Sequence, residues 1–221
     1  AQDAKEWRNL SVFPVSIYEE INQRYARKAS NICEEDAEVN GILAGVGALG
    51  STLAELWSRE AWGSWIYIDD DLLMPHNLVR HSAKNCHVGL SKIETVEHLS
   101  KMNFPPGTVE YKGIFGKIAD QSNEAIIKAI KNADILIDTT TTLEASRDLC
   151  EVDGMPRLAS AFLTPSGMSS ALLLESKDRT IYLSALEPQY YRAILRENWG
   201  ETHLNGHYGE LRIGGGCRDV S

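Results

Sequence analysis

From about residue 40 onward, short apolar runs alternate with segments whose apolar residues recur at helical spacing. Asn40-Gly-Ile-Leu-Ala-Gly-Val46 is an apolar run ending in glycines, and Leu49, Leu53, Leu56 and Trp57 follow at helical intervals. Ser64-Trp-Ile-Tyr-Ile68 reads as a second strand closing on Asp69, and Ser91 to Met102 as a helix carrying Ile93, Val96 and Leu99 inward. A third strand near Val109, a helix from Asn123 to Ile130, a strand over Asp134-Ile-Leu-Ile-Asp138 and a helix from Thr142 to Cys150 continue the alternation. Strands separated by helices predict an α/β fold with a mainly parallel, helix-covered sheet.

The texture changes after Arg157. Ala161-Phe-Leu163, Ser170-Ala-Leu-Leu-Leu174 and Thr180-Ile-Tyr-Leu183 are separated only by turn residues such as Pro165, Gly167, Lys177 and Asp178, which predicts strands forming an antiparallel C-terminal portion. Glu187 to Leu195 is expected to be helical, and Trp199 to Ser221, rich in Gly, His and Asn, to be loop. Before residue 40 the pattern offers one amphipathic helical stretch, Val15 to Ala29. The expected organisation is therefore an N-terminal helical segment, 1–39, followed by one domain over 40–221. The abrupt stop after Gly214-Gly-Gly-Cys-Arg-Asp-Val-Ser221 looks like an excised piece of something longer.

Composition narrows the picture. In 221 residues, a 43% apolar share fills a real core and rules out disorder as the main reading. Lys and Arg number 22 against 31 Asp and Glu, a net charge of −9 with no basic block, so neither nucleic acid nor a membrane surface is the expected partner. No apolar run reaches the roughly 20 residues of a membrane helix, and Ala1 to Trp7 lacks the apolar core of a signal peptide, which predicts a cytoplasmic protein. Cys33, Cys86, Cys150 and Cys217 form no Cys-x-x-Cys pair, so paired-cysteine zinc is not supported. Cys33, Cys86 and Cys150 read as small buried apolar residues.

The candidate chemistry begins at Gly45-Val-Gly47-Ala-Leu-Gly50, which follows a strand and opens a helix. There Gly45 permits the tight turn, Gly47 lets the backbone approach a phosphate, and Gly50 allows close helix packing. Asp69, nineteen residues past Gly50 and at the end of the next strand, is placed to accept hydrogen bonds from ribose hydroxyls. This much suits any adenine nucleotide, on a Rossmann-like fold. The next block is more specific: Asp69-Asp-Asp71, Asn77-Leu-Val-Arg80-His81 and Gly89-Leu-Ser-Lys92 gather an amide, a guanidinium and an ammonium behind the ribose carboxylate. An enzyme handling ATP uses such groups: Arg80 and Lys92 to neutralise charge on departing pyrophosphate, Asn77 to hold an α-phosphate oxygen.

Over about residues 38 to 150 the sequence resembles the ThiF/MoeB and ubiquitin-activating adenylyltransferases, whose pattern runs Gly-x-Gly-x-x-Gly, Asp-x-Asp, Asn-Leu-x-Arg-Gln and Gly-x-x-Lys. Gly63-Ser-Trp65 before the second strand and Pro75-His-Asn-Leu-Val-Arg-His81 after the acidic triplet look most like the activating enzymes of bacterial ubiquitin-like conjugation systems, including the CBASS type used against phage. The resemblance implies a Rossmann-like ATP-binding fold and a nucleotide-binding set of Gly45, Gly47, Gly50, Asp69, Asp71, Asn77, Arg80 and Lys92. It also implies homodimerisation, a conjugating-enzyme module and the C-terminal tail of a ubiquitin-like or other partner protein as substrate. The activity so implied is ATP-dependent adenylation of that tail's carboxylate, then thioester formation on a cysteine.

Three positions depart from, or only echo, the pattern. Family members place a Mg²⁺-binding aspartate in an Asp-Cys-Thr-Asp-Asn segment; here the stretch is Asp138-Thr-Thr-Thr-Thr142, the second acid is missing, and Asp138 stands as the metal candidate. His81 replaces the usual glutamine. Arg24-Tyr-Ala-Arg27 echoes an Arg-Tyr-x-Arg whose arginine, in the family, reaches the partner subunit's site, though surface helix charges explain it equally. Cys217, in the mobile-looking setting Gly214-Gly-Gly-Cys-Arg218, is the expected catalytic thiol, with Arg218 favouring thiolate. Two other readings stay open: an NAD(P)-dependent oxidoreductase, which the glycine turn and Asp69 suit equally, and a non-catalytic nucleotide-binding adapter of the same fold.

Overall fold

In a computed structural model of the chain, residues 8, 10–18, 20–150, 152, 154–164 and 169–200 are described. Among these, six strands form one sheet: β1 (Asn40–Ala44), β2 (Ser64–Asp69), β3 (Tyr111–Phe115), β4 (Ile135–Asp138), β5 (Arg157–Leu163) and β6 (Ser170–Leu174). Their order is β3-β2-β1-β4-β5-β6, parallel through β5, with β6 antiparallel at the edge. The predicted mixed sheet is thus observed, and its direction of growth reverses between β1 and β4. In open α/β sheets that reversal leaves a crevice at the carboxyl ends of the strands, where ligands bind.

Among the described residues seven α-helices accompany the sheet: α1 (Gln23–Ala29), α2 (Glu34–Ala37), α3 (Ala48–Glu60), α4 (Lys92–Lys101), α5 (Glu124–Asn132), α6 (Leu143–Cys150) and α7 (Leu183–Arg196). On one sheet face, Leu43, Tyr67, Trp65 and Ile137 pack with Ala54 of α3 and with Ile93 and Val96 of α4. On the other, Ile42, Ile68, Ile114, Leu136 and Leu158 pack with Ile126 of α5, Leu149 of α6 and Leu183 of α7. A strand buried on both faces reads as a continuous apolar run, which is why Ile42 to Ala44 shows no alternation. Helix starts follow local chemistry: the Ser91 side chain accepts the Glu94 N–H, and Asn123 accepts from Ala125 and Ile126.

Three of the expected elements differ in the fold. The helix foreseen over Val15 to Ala29 begins only at Gln23, because Asn22 is extended and its side chain accepts the Tyr25 N–H; the apolar residues before it, such as Val15 and Ile17, are exposed and give no core for a helix to pack on. The third strand starts at Tyr111 rather than near Val109, after the turn closed by Thr108 N–H and the Pro105 carbonyl. Thr180 to Leu183 is not a strand. The buried Glu175 carboxylate accepts the Leu158 N–H of β5 and the Leu183 N–H that opens α7, each at 3.0 Å, and the chain turns into a helix there instead.

Cys33 and Cys86 are exposed, contrary to the expectation of buried thiols; each sits in a short polar turn. Cys150 is half-buried, and burial pushes its thiol pKa up, with hydrogen bonding to Ser184 acting against the shift. Cys217 and its flanking Gly214 to Arg218 lie outside the described residues. No helix among the described residues is long and apolar enough to cross a membrane.

Candidate nucleotide site

The crevice at the strand ends is built from the turn after β1. Gly45 adopts φ +80°, and a Cβ there would lie 2.8 Å from the backbone nitrogen of Thr140, so the β1–α3 turn and the loop after β4 pass too closely for any side chain. At Gly50 a Cβ would run into the Gly45 carbonyl oxygen and come within 2.7 Å of Thr139 Oγ1. Thr139, buried, locks the same turn by donating its hydroxyl toward the carbonyls of Gly45 (2.5 Å) and Ala44 (3.0 Å). Gly47 is the N-cap residue of α3, so the first-turn N–H groups of this thirteen-residue helix receive no side-chain cap from that position. Such a helix start favours an anion.

Asp69 ends β2 beside this turn. Its Oδ2 accepts the Val46 N–H at 2.8 Å and its Oδ1 the Asp71 N–H at 2.9 Å. Burial raises its pKa above the ordinary carboxylate value, and the nearby Lys92 charge and the two backbone N–H groups oppose that rise. A carboxylate offers about four lone-pair sites, so two backbone bonds leave acceptor capacity for hydroxyl donors.

Lys92 opens α4, and its side chain is 2% exposed. Nζ lies 2.6 Å from Asp71 Oδ2 and 4.0 Å from Asp69 Oδ1. Its backbone N–H also donates to the Asp71 carbonyl at 3.1 Å, so strand end and helix start are joined twice. A lysine at a helix start is ordinarily solvated; this one is a buried ammonium between two carboxylates, because the packing of α4 against β2 and β3 draws the first turn of the helix inward.

Between Asp71 and Lys92 the chain makes a loop closed at its neck by Leu73 N–H to the Leu90 carbonyl and Gly89 N–H to the Leu73 carbonyl, both 2.8 Å. Pro75–Val79 forms one turn of 3-10 helix. The Asn77 Oδ1 accepts the Met74 N–H at 2.8 Å, which leaves the amide's NH₂ as its donor end. Arg80 follows as an exposed residue with no ion pair among the described residues. His81 turns inward and reaches Val46 O at 2.8 Å.

The sequence marked His81 only as a departure from the family's glutamine, and gave no role to Thr139 or to Ser51, whose hydroxyl accepts the Ser82 N–H at 3.2 Å. Only the position of His81 directly after Arg80 gave a signal. The structure brings Gly45, Gly47, Gly50, Asp69, Asp71 and Lys92 together, with Asn77 and Arg80 on the loop joining Asp71 to Lys92.

Asp138 lies at the end of β4 in register with Ala44, buried, its Oδ1 accepting the Thr140 N–H (2.9 Å) and hydroxyl (2.7 Å). The carboxylates of Asp69, Asp70 and Asp71 approach within 4.8 Å of one another. That triplet already holds the Lys92 ammonium against Asp71 and Asp69, so the oxygen donor that fits a hard cation such as Mg²⁺ is Asp138. In the Arg24/Arg27 pair the two arginines differ: Arg27 is tied to the Ala61 carbonyl (2.9 Å) and Glu34 (2.6 Å), while Arg24 is exposed. A separate concavity of about 740 Å³ between α6 and α7, lined by Arg147, Cys150, Glu187 and Tyr191, contains none of the residues above.

A switch-point crevice with a glycine turn, an open helix start and a carboxylate at the next strand end defines a nucleotide-binding class of α/β fold. The ThiF family matches residues 25–186, and the chain belongs to that family. Among solved structures the fold is similar to E. coli MccB with ATP, at 16% identity and TM-score 0.51, covering 60% of this chain and 40% of that one. It is also similar to the microcin C7 biosynthetic enzyme MccB in complex with N-formylated MccA, at 15% identity and TM-score 0.51, covering 60% of this chain and 38% of that one. E. coli tRNA N6-threonylcarbamoyladenosine dehydratase, TcdA, matches at 21% identity and TM-score 0.48, over 61% of this chain and 54% of that one. At these identities the likeness to MccB is one of fold, and the chain spans less than two thirds of each of these proteins. No curated protein sequence matches at a significant level.

Proposed function

We propose that the protein is an ATP-dependent adenylyltransferase. The observation that carries this reading is the buried Lys92 ammonium, 2.6 Å from Asp71 and 4.0 Å from Asp69, beside a glycine turn and an open helix start. Phosphate chemistry uses a buried cation there, because a charge already fixed by the protein stabilises a developing anion without reorganising. Membership of the ThiF family and the occurrence of ATP with MccB support the same choice.

In this reading the turn from Gly45 through Gly47 to Gly50 lies along the phosphates, Asp69 accepts from the ribose hydroxyls and Asp71 holds Lys92 in place. Asn77 donates to an α-phosphate oxygen, and Arg80 and Lys92 face the leaving pyrophosphate. A substrate carboxylate oxygen bonds to the α-phosphorus as the bond from that phosphorus to the bridging oxygen breaks, giving an acyl adenylate and pyrophosphate. Asp138 would hold Mg²⁺ against the phosphates, supplying further charge neutralisation.

The finer reading is that the substrate is the C-terminal tail of a ubiquitin-like partner. The Cys217 thiolate then attacks the acyl carbon, AMP leaves, and the thioester passes to a conjugating module. The cellular setting is a cytoplasmic, homodimeric enzyme of the CBASS type, in antiviral defence. The wording of Pro75 to His81 supports the subgroup, and the glycines before Cys217 support a thiol able to swing. ATP–pyrophosphate exchange driven by the partner tail tests the first step. Cys217→Ala is expected to leave exchange intact and abolish a reductant-sensitive adduct with the tail; loss of exchange as well would sink the thioester step.

A further inference from the structure

The loop between Asp71 and Lys92 raises a question of geometry, since a long exposed crown carries two side chains, Asn77 and Arg80, that must meet phosphates lying along a turn on another element. The neck holds only its base. The crown itself meets the body at two hydrogen bonds among the described residues: the His81 ring to Val46 O at 2.8 Å, and Ser82 N–H to Ser51 Oγ at 3.2 Å. Both land on the glycine turn and the helix it opens.

The ring chemistry is determined by its neighbours. Ala83 N–H, which is a donor only, points at His81 Nδ1 at 3.0 Å, so Nδ1 carries the lone pair and the proton sits on Nε2. Nε2–H therefore donates to the Val46 carbonyl. Val46 is held from both sides, since its own N–H donates to Asp69 Oδ2 at 2.8 Å. One peptide residue thus links the carboxylate assigned to the ribose, the glycine turn and the crown. Burial pushes the His81 pKa down to about 4, so the neutral ring this geometry requires is the form present at neutral pH.

We propose that His81 is a positioning residue of the nucleotide site: by clamping the crown to the Val46 carbonyl it sets where Asn77 and Arg80 stand relative to the glycine turn. It touches no ligand itself. The role rests on the nucleotide reading of the turn given above.

Three proteins are compared: the parent, His81→Ala and His81→Gln, whose side-chain amide keeps a donor of similar reach toward Val46. Calorimetric titration with ATP and with adenosine separates the phosphate end from the ribose end. His81→Ala is expected to weaken ATP about tenfold or more while adenosine binding changes by less than about threefold, and His81→Gln to recover most of the loss. In the ligand-free proteins, hydrogen exchange of the Asn77 to Ala83 amides is expected to rise about tenfold in His81→Ala and to stay near the parent in His81→Gln. Equal loss for ATP and adenosine, failure of His81→Gln to recover a folded protein's affinity, or unchanged exchange in His81→Ala would each overturn the clamp. A parent that binds no ATP yet shows the exchange pattern would instead remove the nucleotide reading and leave the clamp as a feature of the fold.

Discussion

Lys92 and Asp71 meet at 2.6 Å from unequal surroundings: the lysine side chain is 2% exposed and the aspartate 55%. The pair is thus anchored on its cationic side, and the carboxylate is the partner that can rehydrate when the contact breaks. Lys92→Met keeps most of the packed stem and removes the charge. It is expected to lower ATP affinity at least tenfold and also to lower stability in urea, because the buried Asp69 carboxylate loses its counter-charge. Lys92→Ala also leaves a cavity and is expected to lose about 2 kcal/mol in the same titration. Equal ATP affinity in Lys92→Met and the parent would remove the ammonium from the site.

Asp69 serves two backbone donors at once, Val46 N–H and Asp71 N–H. In Asp69→Asn one of them faces an amide NH₂, so unfolding free energy is expected to fall by about 1–3 kcal/mol. ATP and its deoxyribose analogues are then expected to bind the variant more nearly alike than they bind the parent. Unchanged preference for the ribose hydroxyls in Asp69→Asn would place the ribose elsewhere.

Gly50 leaves no room beside the Gly45 carbonyl and Thr139. Gly50→Ala must push the start of α3 away from the turn, and overpacking of this kind costs about 1–3 kcal/mol. Melting temperature and ATP affinity are expected to fall together, because the same displacement moves the α3 N–H groups. A protein with parental stability and parental affinity would show that the turn is not held as tightly as its contacts require.

His81 carries a pH signature. Its folded pKa, lowered to about 4 by burial, with Lys92 and His87 acting the same way and the Val46 bond opposing, lies below the unfolded value near 6.5. Between these values the unfolded chain binds more protons, so this residue's contribution to stability is complete above pH 6.5 and declines as pH falls toward 4. The full span amounts to roughly 3 kcal/mol. Comparing urea unfolding at pH 7 and pH 4.5, the parent is expected to lose more stability than His81→Gln; equal losses would mean that the ring titrates normally.

Much of this arrangement was legible in the chain. The run from Asn40 to Val46, the alternation of later strands and helices, and the spacing of Asp69 and Lys92 all depend on local patterns, and local patterns survive folding. What the sequence did not disclose depends on contacts across it. Lys92 is buried because α4 packs on β2 and β3, Thr180 to Leu183 turns because Glu175 captures the Leu183 N–H, and His81 becomes a tether because Val46, 35 positions earlier, presents its carbonyl. The stretch before Gln23 misled for the opposite reason: apolar residues at helical spacing have no core to face.

The central claim, that the crevice at the ends of β1 and β4 binds ATP through its glycine turn and Lys92, is tested most directly by titrating ATP and NAD⁺ into the parent and Lys92→Met proteins by calorimetry. Tighter binding of ATP than of NAD⁺ to the parent, with the ATP signal weakened at least tenfold in Lys92→Met, is the expected result. Preference for NAD⁺, or ATP binding indifferent to Lys92, would contradict it.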